Sequence, residues 1–220
     1  MEQQQSDQNL LVVNYDLYAG QSDQAARGLL EALEYGQLSI WEAETARPAF
    51  VFLHYAVHEE PPEIWGHLAN KNPMLDMLRT NPRATFWVNG PSAFIPSHWT
   101  GTDQGVPTSY YSWAQFEVSV KLLEAQDANL EVLSSMLARL QPEGDHPAMD
   151  TSQRFWKGMV GAITGMKMTI EACQSRHKYG QNRPPQLRRH IAAALEARNQ
   201  GQDRAVAAQV LARLEEGVRG

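Results

Sequence analysis

Residues 110–123 do most to limit what this chain can become. There Phe116, Val118 and Val120 alternate with Gln115, Glu117, Ser119 and Lys121, the period of two expected of a strand with one buried and one polar face. This is the longest strand candidate in the sequence, and shorter ones surround it. Residues 37–41 and 49–57 are rich in β-branched and aromatic side chains and read as a pair around the polar EAETARP; residues 63–67, 84–89, 93–95 and 160–172 follow, the last on Ile163, Met166, Met168 and Ile170.

Between the strands the period changes. Ala26, Leu29, Leu30 and Leu33 are spaced as on a helix over residues 22–35, with Ser22 or Asp23 as cap and Gly36 as stop. Helices are expected again over 69–81, where Asn81-Pro82 ends the run, and over 127–140, with a short helical turn over 152–159. Residues 187–218, rich in Ala, Arg, Glu and Gln, predict two helices broken near 199–202, and the run CQSRHKYGQNRPPQ before them reads as a loop. Residues 10–13 read as a short edge strand or lead-in, and residues 1–9 as a polar, mobile tail. Strands that follow one another while helices stand apart define α+β, and six mainly antiparallel strands avoid open edges most easily by closing into a small barrel. The expected division is a tail over 1–9, a barrel domain over 10–195 and a C-terminal helix over 196–220.

Composition narrows the function. The 220 residues are 43% apolar, enough for a real core, and carry a net charge of -6. That charge argues against direct binding to DNA or an anionic membrane. Cys173 is the only cysteine, so no disulfide framework or cysteine metal cage forms within one chain, and the expected compartment is the cytoplasm. The N-terminus lacks the form of a signal peptide, and no apolar run reaches the roughly 18 residues that cross a bilayer.

Three clusters between Ile64 and Trp113 mix aromatic rings with amide, hydroxyl or imidazole groups and break at Gly or Pro, as strand ends around a polar aromatic ligand do. In GHLANKNP, Lys71 beside Asn70 and Asn72 at a strand-to-helix junction suits a phosphate; the same residues also read as a capped turn with Asn70 or Asn72 as N-cap. Trp87, Trp99, Tyr110, Tyr111 and Trp113 suit a flat ring, and equally a core. His54, His58, His67 and His98 lack metal-site spacing, although one of them as a haem ligand stays open. Ser97-His98 would point apart in a strand, and GxSxG, GxGxxG and P-loop motifs are missing. Arg176, His177, Lys178, Arg183, Arg188, Arg189 and His190 concentrate positive charge, and Gln181-Asn182-Arg183 before two prolines forms a stiff loop rich in donors.

Taken together, GHLANKNP at Gly66, NGPSAFIPSHW at Asn89, GVPTSYYSWAQFEV at Gly105, FWKGMVGAI at Phe155 and KYGQNR at Lys178 resemble the PaiB family, usually described as FMN-binding negative transcriptional regulators. The resemblance implies an FMN-binding split barrel, normally a homodimer with flavin at the subunit interface. By position it implies a cofactor set of His67, Asn70, Lys71, Asn72, Trp99, Thr108, Tyr110, Lys157, Gln181, Asn182 and Arg183, with the first four at the phosphate and Trp99 and Tyr110 near the ring. It further implies redox chemistry on a small molecule or peptide; a regulatory role, or haem or a cofactor-free tailoring reaction on the same barrel, are the alternatives. The chain departs from the family in three places. Val51-Phe52-Leu53-His54 stands where a Thr-His-Leu-Pro run is usual, Ser109-Tyr110-Tyr111 where Trp-Asn-Tyr is, and a Gln-rich start replaces Met-Tyr-x-Pro.

Overall fold

The computed structural model describes residues 23–42, 47–100 and 105–216. The expected tail and the expected strand at 10–13 lie outside these residues. The fold is α+β: among the described residues, six helices and eight antiparallel strands in one sheet. In chain order the elements are α1 (Asp23–Ala32), β1 (Tyr35–Glu42), β2 (Arg47–His54), β3 (Ala56–His58), β4 (Glu63–Ala69), α2 (Met74–Thr80), β5 (Arg83–Asn89), β6 (Ala93–Ile95), β7 (Thr108–Leu123), α3 (Gln126–Leu140), α4 (Arg154–Gly161), β8 (Ile163–Lys178), α5 (Pro185–Arg198) and α6 (Asp203–Glu216).

The count of eight corrects the expected six, and the reason is local. The sheet runs β2-β1-β5-β7-β8-β4-β3, with the three-residue β6 attached to β7. Its two outer strands, β2 and β3, are separated in sequence only by Tyr55. The chain from Arg47 to His58 therefore pairs with β1 through its first part and with β4 through its last, and in doing so closes the sheet. A side chain on Gly66 of β4 would meet the Leu53 Cδ1 of β2, so the strands approach closely where one hands over to the other. Tyr55, at the handover, is fully buried; its hydroxyl donates to the carbonyls of Leu30 at 2.8 Å and Leu33 at 2.5 Å. Arg139 donates to the same carbonyls at 2.9 and 2.7 Å and lies 4.7 Å over the Tyr55 ring, so the open C-terminal end of α1 is satisfied from two sides.

Inward side chains of the strands, among them Leu38, Ile64, Phe86, Phe116, Val118, Met166 and Met168, form the main core with Leu29 and Leu30 of α1 and Leu75 and Leu78 of α2. Each such burial contributes about 1.5–3 kcal/mol. A second core joins α5 and α6 to the far end of the β7–β8 ribbon through Tyr110, Tyr179, Ile191, Leu195, Val206 and Val210. The break between these helices falls where the sequence predicts it. Asn199 adopts φ 50° after α5, and Arg198 grips Asp203 through bonds of 2.6 and 2.7 Å.

Several boundaries differ from expectation: the helix expected over 69–81 is Met74–Thr80, the strand expected from 160 starts at Ile163, and two further shifts have a local cause. The first helix ends at Ala32 and Tyr35 already belongs to β1. The last strand does not stop at Ala172 but runs to Lys178, so residues 173–178, expected in a loop, are strand paired with Tyr111–Phe116. A β-bulge explains the miss: Glu117 pairs with Ala172 and Val118 with Ile170, so Glu171 is an extra residue. Inward positions change from Met166, Met168 and Ile170 to Cys173, Ser175 and His177, and the alternation read from the sequence fails at that point.

Candidate functional site

The residues expected to form one site lie in two groups at opposite ends of the β7–β8 ribbon. At the first end, GHLANKNP leaves β4 beside the start of β8. Asn70 Nδ2 donates to the Gly161 carbonyl at 2.8 Å, and Asn70 Oδ1 accepts from the Thr164 hydroxyl at 2.8 Å. Asn72 Oδ1 accepts from the Met74 N–H at 3.0 Å at the start of α2, the local bond that a turn asparagine makes two residues on. His67 is partly buried under α3 with Nδ1 3.4 Å from Met136 Sδ, and burial lowers its pKa. Lys71 is exposed, as is Lys157 on α4, whose carbonyl accepts from Gln126 Nε2 at 3.1 Å.

Behind this end sits an anchor that the sequence did not flag. Asn129 of α3, 4% exposed, donates to the Ile163 carbonyl at 2.9 Å and accepts from the Gly165 N–H at 2.8 Å, fastening the helix to β8. The depression in front of it, about 350 Å³, is lined by Asn70, Gln126, Asn129, Gly161 and Thr164.

At the second end, Thr108 opens β7 and Lys178 closes β8, with Lys178 Nζ donating to Thr108 Oγ1 at 2.8 Å. Gly180, at φ 74°, reverses the chain; a Cβ there would overlap the Tyr110 hydroxyl, so only glycine fits. Gln181 is spent on this turn: its Oε1 accepts from the Tyr179 N–H at 2.8 Å and its Nε2 donates to the His177 carbonyl. Asn182 and Arg183 are exposed, while Tyr110 is buried against Tyr179, ring centroids 6.4 Å apart. Trp99 packs against the second core with the Arg198 guanidinium 4.7 Å over its ring. Ser97 and His98 share the short 3-10 turn that holds Trp99 and are not in a strand.

Between the two ends runs an outward face of the sheet. Phe52, Gln37, Trp87, Gln115 and Gln174 are cross-strand neighbours in one row over β2, β1, β5, β7 and β8. Trp87 stacks on Trp113 at 4.8 Å, and Phe52 stacks on Tyr35 at 5.5 Å. Gln115 is 6% exposed, and the buried Gln174 Nε2 has no hydrogen-bond partner among the described residues. An amide donor buried without a partner costs about 1–3 kcal/mol. Gln37, Gln115 and Gln174 were not singled out from the sequence; only the register of five strands brings them into line.

Beneath the second end lies a buried histidine. The Arg213 guanidinium donates to His177 Nδ1 at 2.7 Å, and burial followed by that positive charge pushes the imidazole pKa down to about 4. Cys173, near Asp23, is pushed up to about 12, chiefly by burial, and has no thiolate character at neutral pH. Among the described residues no group of three or more His, Cys, Asp or Glu could hold a metal ion, and no helix is long and apolar enough to cross a membrane.

Comparison with known proteins places these observations in context. A family model described as "Putative FMN-binding domain" matches residues 15–172. No curated protein matches. Among solved structures the chain is similar to a "putative 5-nitroimidazole antibiotic resistance protein" from Bacteroides thetaiotaomicron, at 10% identity and TM-score 0.56, over 71% of this chain and 84% of that one. It is also similar to an FAD and heme binding protein from Mycobacterium smegmatis, at 12% identity and TM-score 0.55, over 74% of each chain. A flavocytochrome from Azotobacter vinelandii matches at 12% identity and TM-score 0.57, over 77% of this chain and 73% of that one. At such identities the likeness is one of fold.

Proposed function

We propose, from the premise that the chain belongs to the family described as "Putative FMN-binding domain", that it is a flavoprotein of the split-barrel type that holds FMN on the outward row Gln37–Trp87–Gln115–Gln174 and serves redox chemistry on a small molecule or peptide. The observation that carries this reading is the row of outward amides that strand register sets beside a stacked tryptophan pair. A flavin edge offers acceptors for such a donor, and the ring offers a face to such a wall. When bound, the flavin supplies the electron transfer. The chain's own part is to orient it: Gln115 and Gln174 present amides, and Trp87 and Trp113 exclude water from one side.

The assembly is proposed to be a homodimer. Thr164 and Lys178 stand at opposite ends of β8, roughly 46 Å apart along the strand at about 3.3 Å per residue, so a single flavin cannot touch both groups of candidate residues within one protomer. A second copy, turned end for end, brings Lys71 and Lys157 of one protomer toward the second end of the other. The exposed aromatics Phe50, Phe52 and Tyr35, 60%, 49% and 50% accessible, continue the same outward face and suit burial by that copy. In this arrangement Phe52, standing where the resembled family has a histidine, gives the ring an apolar neighbour.

Titrating the purified protein with FMN, followed by flavin fluorescence and a visible spectrum, tests the reading. Saturable quenching with a shifted flavin band is expected, and Gln174→Leu is expected to weaken it. No quenching removes the reading, and a Soret band in the untreated protein replaces flavin by haem. Light scattering on a sizing column tests the dimer.

A further inference from the structure

One groove lies outside both groups of expected site residues and outside the amide row. Its volume of about 450 Å³ falls within the roughly 300–1,000 Å³ of sites that take small organic molecules. Ser39 of β1, Thr85 of β5 and Glu117 of β7 are cross-strand neighbours along its floor, and Trp41, Arg83 and Glu171 help to line it. The bulge in β8 gives the floor its charge. Glu117 pairs with Ala172, and the extra residue Glu171 brings a second carboxylate beside the first. Arg83 answers only one of them, with Nη2 2.7 Å from Glu171 Oε2. Glu117 is half-buried and, among the described residues, makes no hydrogen bond or ion pair. In such a concavity water screens less than at an open surface, so an unmatched carboxylate attracts a cation more strongly.

The other lining groups suit the same guest. Ser39 Oγ accepts from Gln37 Nε2 at 3.0 Å and keeps a second lone pair, and the Thr85 hydroxyl can accept as well. Trp41 is 60% exposed and, unlike Trp87 and Trp113, stacks on no other ring among the described residues, which leaves its indole face open. An indole face attracts an organic cation. We propose that this groove binds a small organic cation, a primary ammonium ion carried on a flat apolar body, with Glu117 opposite the charge, the Thr85 and Ser39 hydroxyls accepting from it and Trp41 covering the body. None of these residues belongs to the set that the family resemblance implies for the cofactor. Ser39, Thr85 and Glu117 stand two residues along their strands from Gln37, Trp87 and Gln115, about 7 Å away. That the cation is a substrate rests on the flavin reading, which sets the ring beside it; that the cation binds does not.

The test is calorimetric titration of the full-length protein, without flavin and near neutral pH, with three probes that share a phenyl ring and differ in charge: phenethylamine, phenethyl alcohol and phenylacetate. Binding is expected for the amine alone, with a Kd on the order of millimolar. Glu117→Gln is expected to weaken it about tenfold and Trp41→Ala about two- to fivefold. Circular dichroism checks that each variant folds; Trp41 is exposed, so its replacement leaves the core untouched and keeps the test decisive if Glu117→Gln does not fold. Arg83→Met removes the cation that answers Glu171 and is expected to strengthen amine binding. No binding of the amine, equal binding of the alcohol, binding of phenylacetate that Arg83→Met abolishes, or amine binding left unchanged by Trp41→Ala and by a folded Glu117→Gln overturns the proposal. A parallel titration with FMN separates the two readings. Amine binding without FMN binding upholds the groove and removes the flavin, and FMN binding without amine binding does the reverse.

Discussion

At one end of the β7–β8 ribbon Asn70, Thr164 and Asn129 turn their polar groups on the protein itself, whereas at the other Asn182 and Arg183 leave theirs at the surface beside Lys178. The inventories are alike: amides, lysine, a hydroxyl and a histidine that is at least partly buried. Their use differs because of what each end must join. The first has to fasten α3, α4 and the loop into α2 onto the sheet, and its amides satisfy backbone groups that those junctions leave open. The second is shaped by α5 and α6, which bring an apolar core of their own, so that beyond Gln181, which fixes the turn, Asn182 and Arg183 are left exposed. Polar residues at a junction are read from sequence as a site in both cases, and only the hydrogen bonds tell them apart.

Four measurements can break that contrast or sharpen it. Asn129→Ala should have the largest effect, lowering stability in urea by about 2–4 kcal/mol, because it strands the Gly165 N–H and the Ile163 carbonyl in a buried place. A small loss would mean that the first end is not the anchor described.

The histidines give the next test. His177 titrates near 4 in the folded protein and near 6.5 when unfolded, so the unfolded chain binds its proton first as the pH falls. Stability is therefore complete above about pH 6.5 and declines as pH drops toward 4, by roughly 2 kcal/mol at pH 5 from this residue alone. His67 is lowered too and adds in the same direction. Urea melts at pH 7 and pH 5 should show the decline, and His177→Asn should remove much of it. Arg213→Ala, which withdraws the nearby charge, should raise the His177 pKa and flatten the profile.

Asn70→Ala should cost about 1 kcal/mol of stability through its two lost bonds while leaving flavin affinity within about twofold. If affinity falls instead, the first end contributes to binding, as the resemblance implies. Smallest of all, Lys71→Ala should shift stability by no more than about 0.5 kcal/mol, as exposed substitutions do, so any loss of flavin affinity it causes is a direct report on the ligand.

Much of the architecture was legible in the sequence because it depends on period. The alternation along Gln115–Lys121 and the helical spacing of Leu29, Leu30 and Leu33 are set by which face meets the core, and the structure buries the matching residues. What escaped reading was whatever depends on pairing. The bulge at Glu171 moves the inward parity by one and hides the last six residues of β8, whose inward Ser175 and His177 are buried although polar, His177 held by Arg213 of α6. The handover at Tyr55 turns one apolar run into two strands. The outward row of Gln37, Gln115 and Gln174 is scattered over the sequence and exists only in register. For the expected site residues, motif reading picked out polar groups at both ends of the ribbon, but local sequence does not say that Asn72 serves Met74 or that Gln181 serves Tyr179.

The passage of the chain from β2 into β3 through Tyr55 has a last implication for how copies of this molecule can meet. Among the described strands β2 pairs only with β1 and β3 only with β4, so the handover joins the ends of the sheet through the chain itself and leaves an edge of β2 with backbone groups to offer. A neighbouring copy can then be met by backbone as well as by the outward Phe50 and Phe52, and of the two only the side chains can be rewritten one residue at a time.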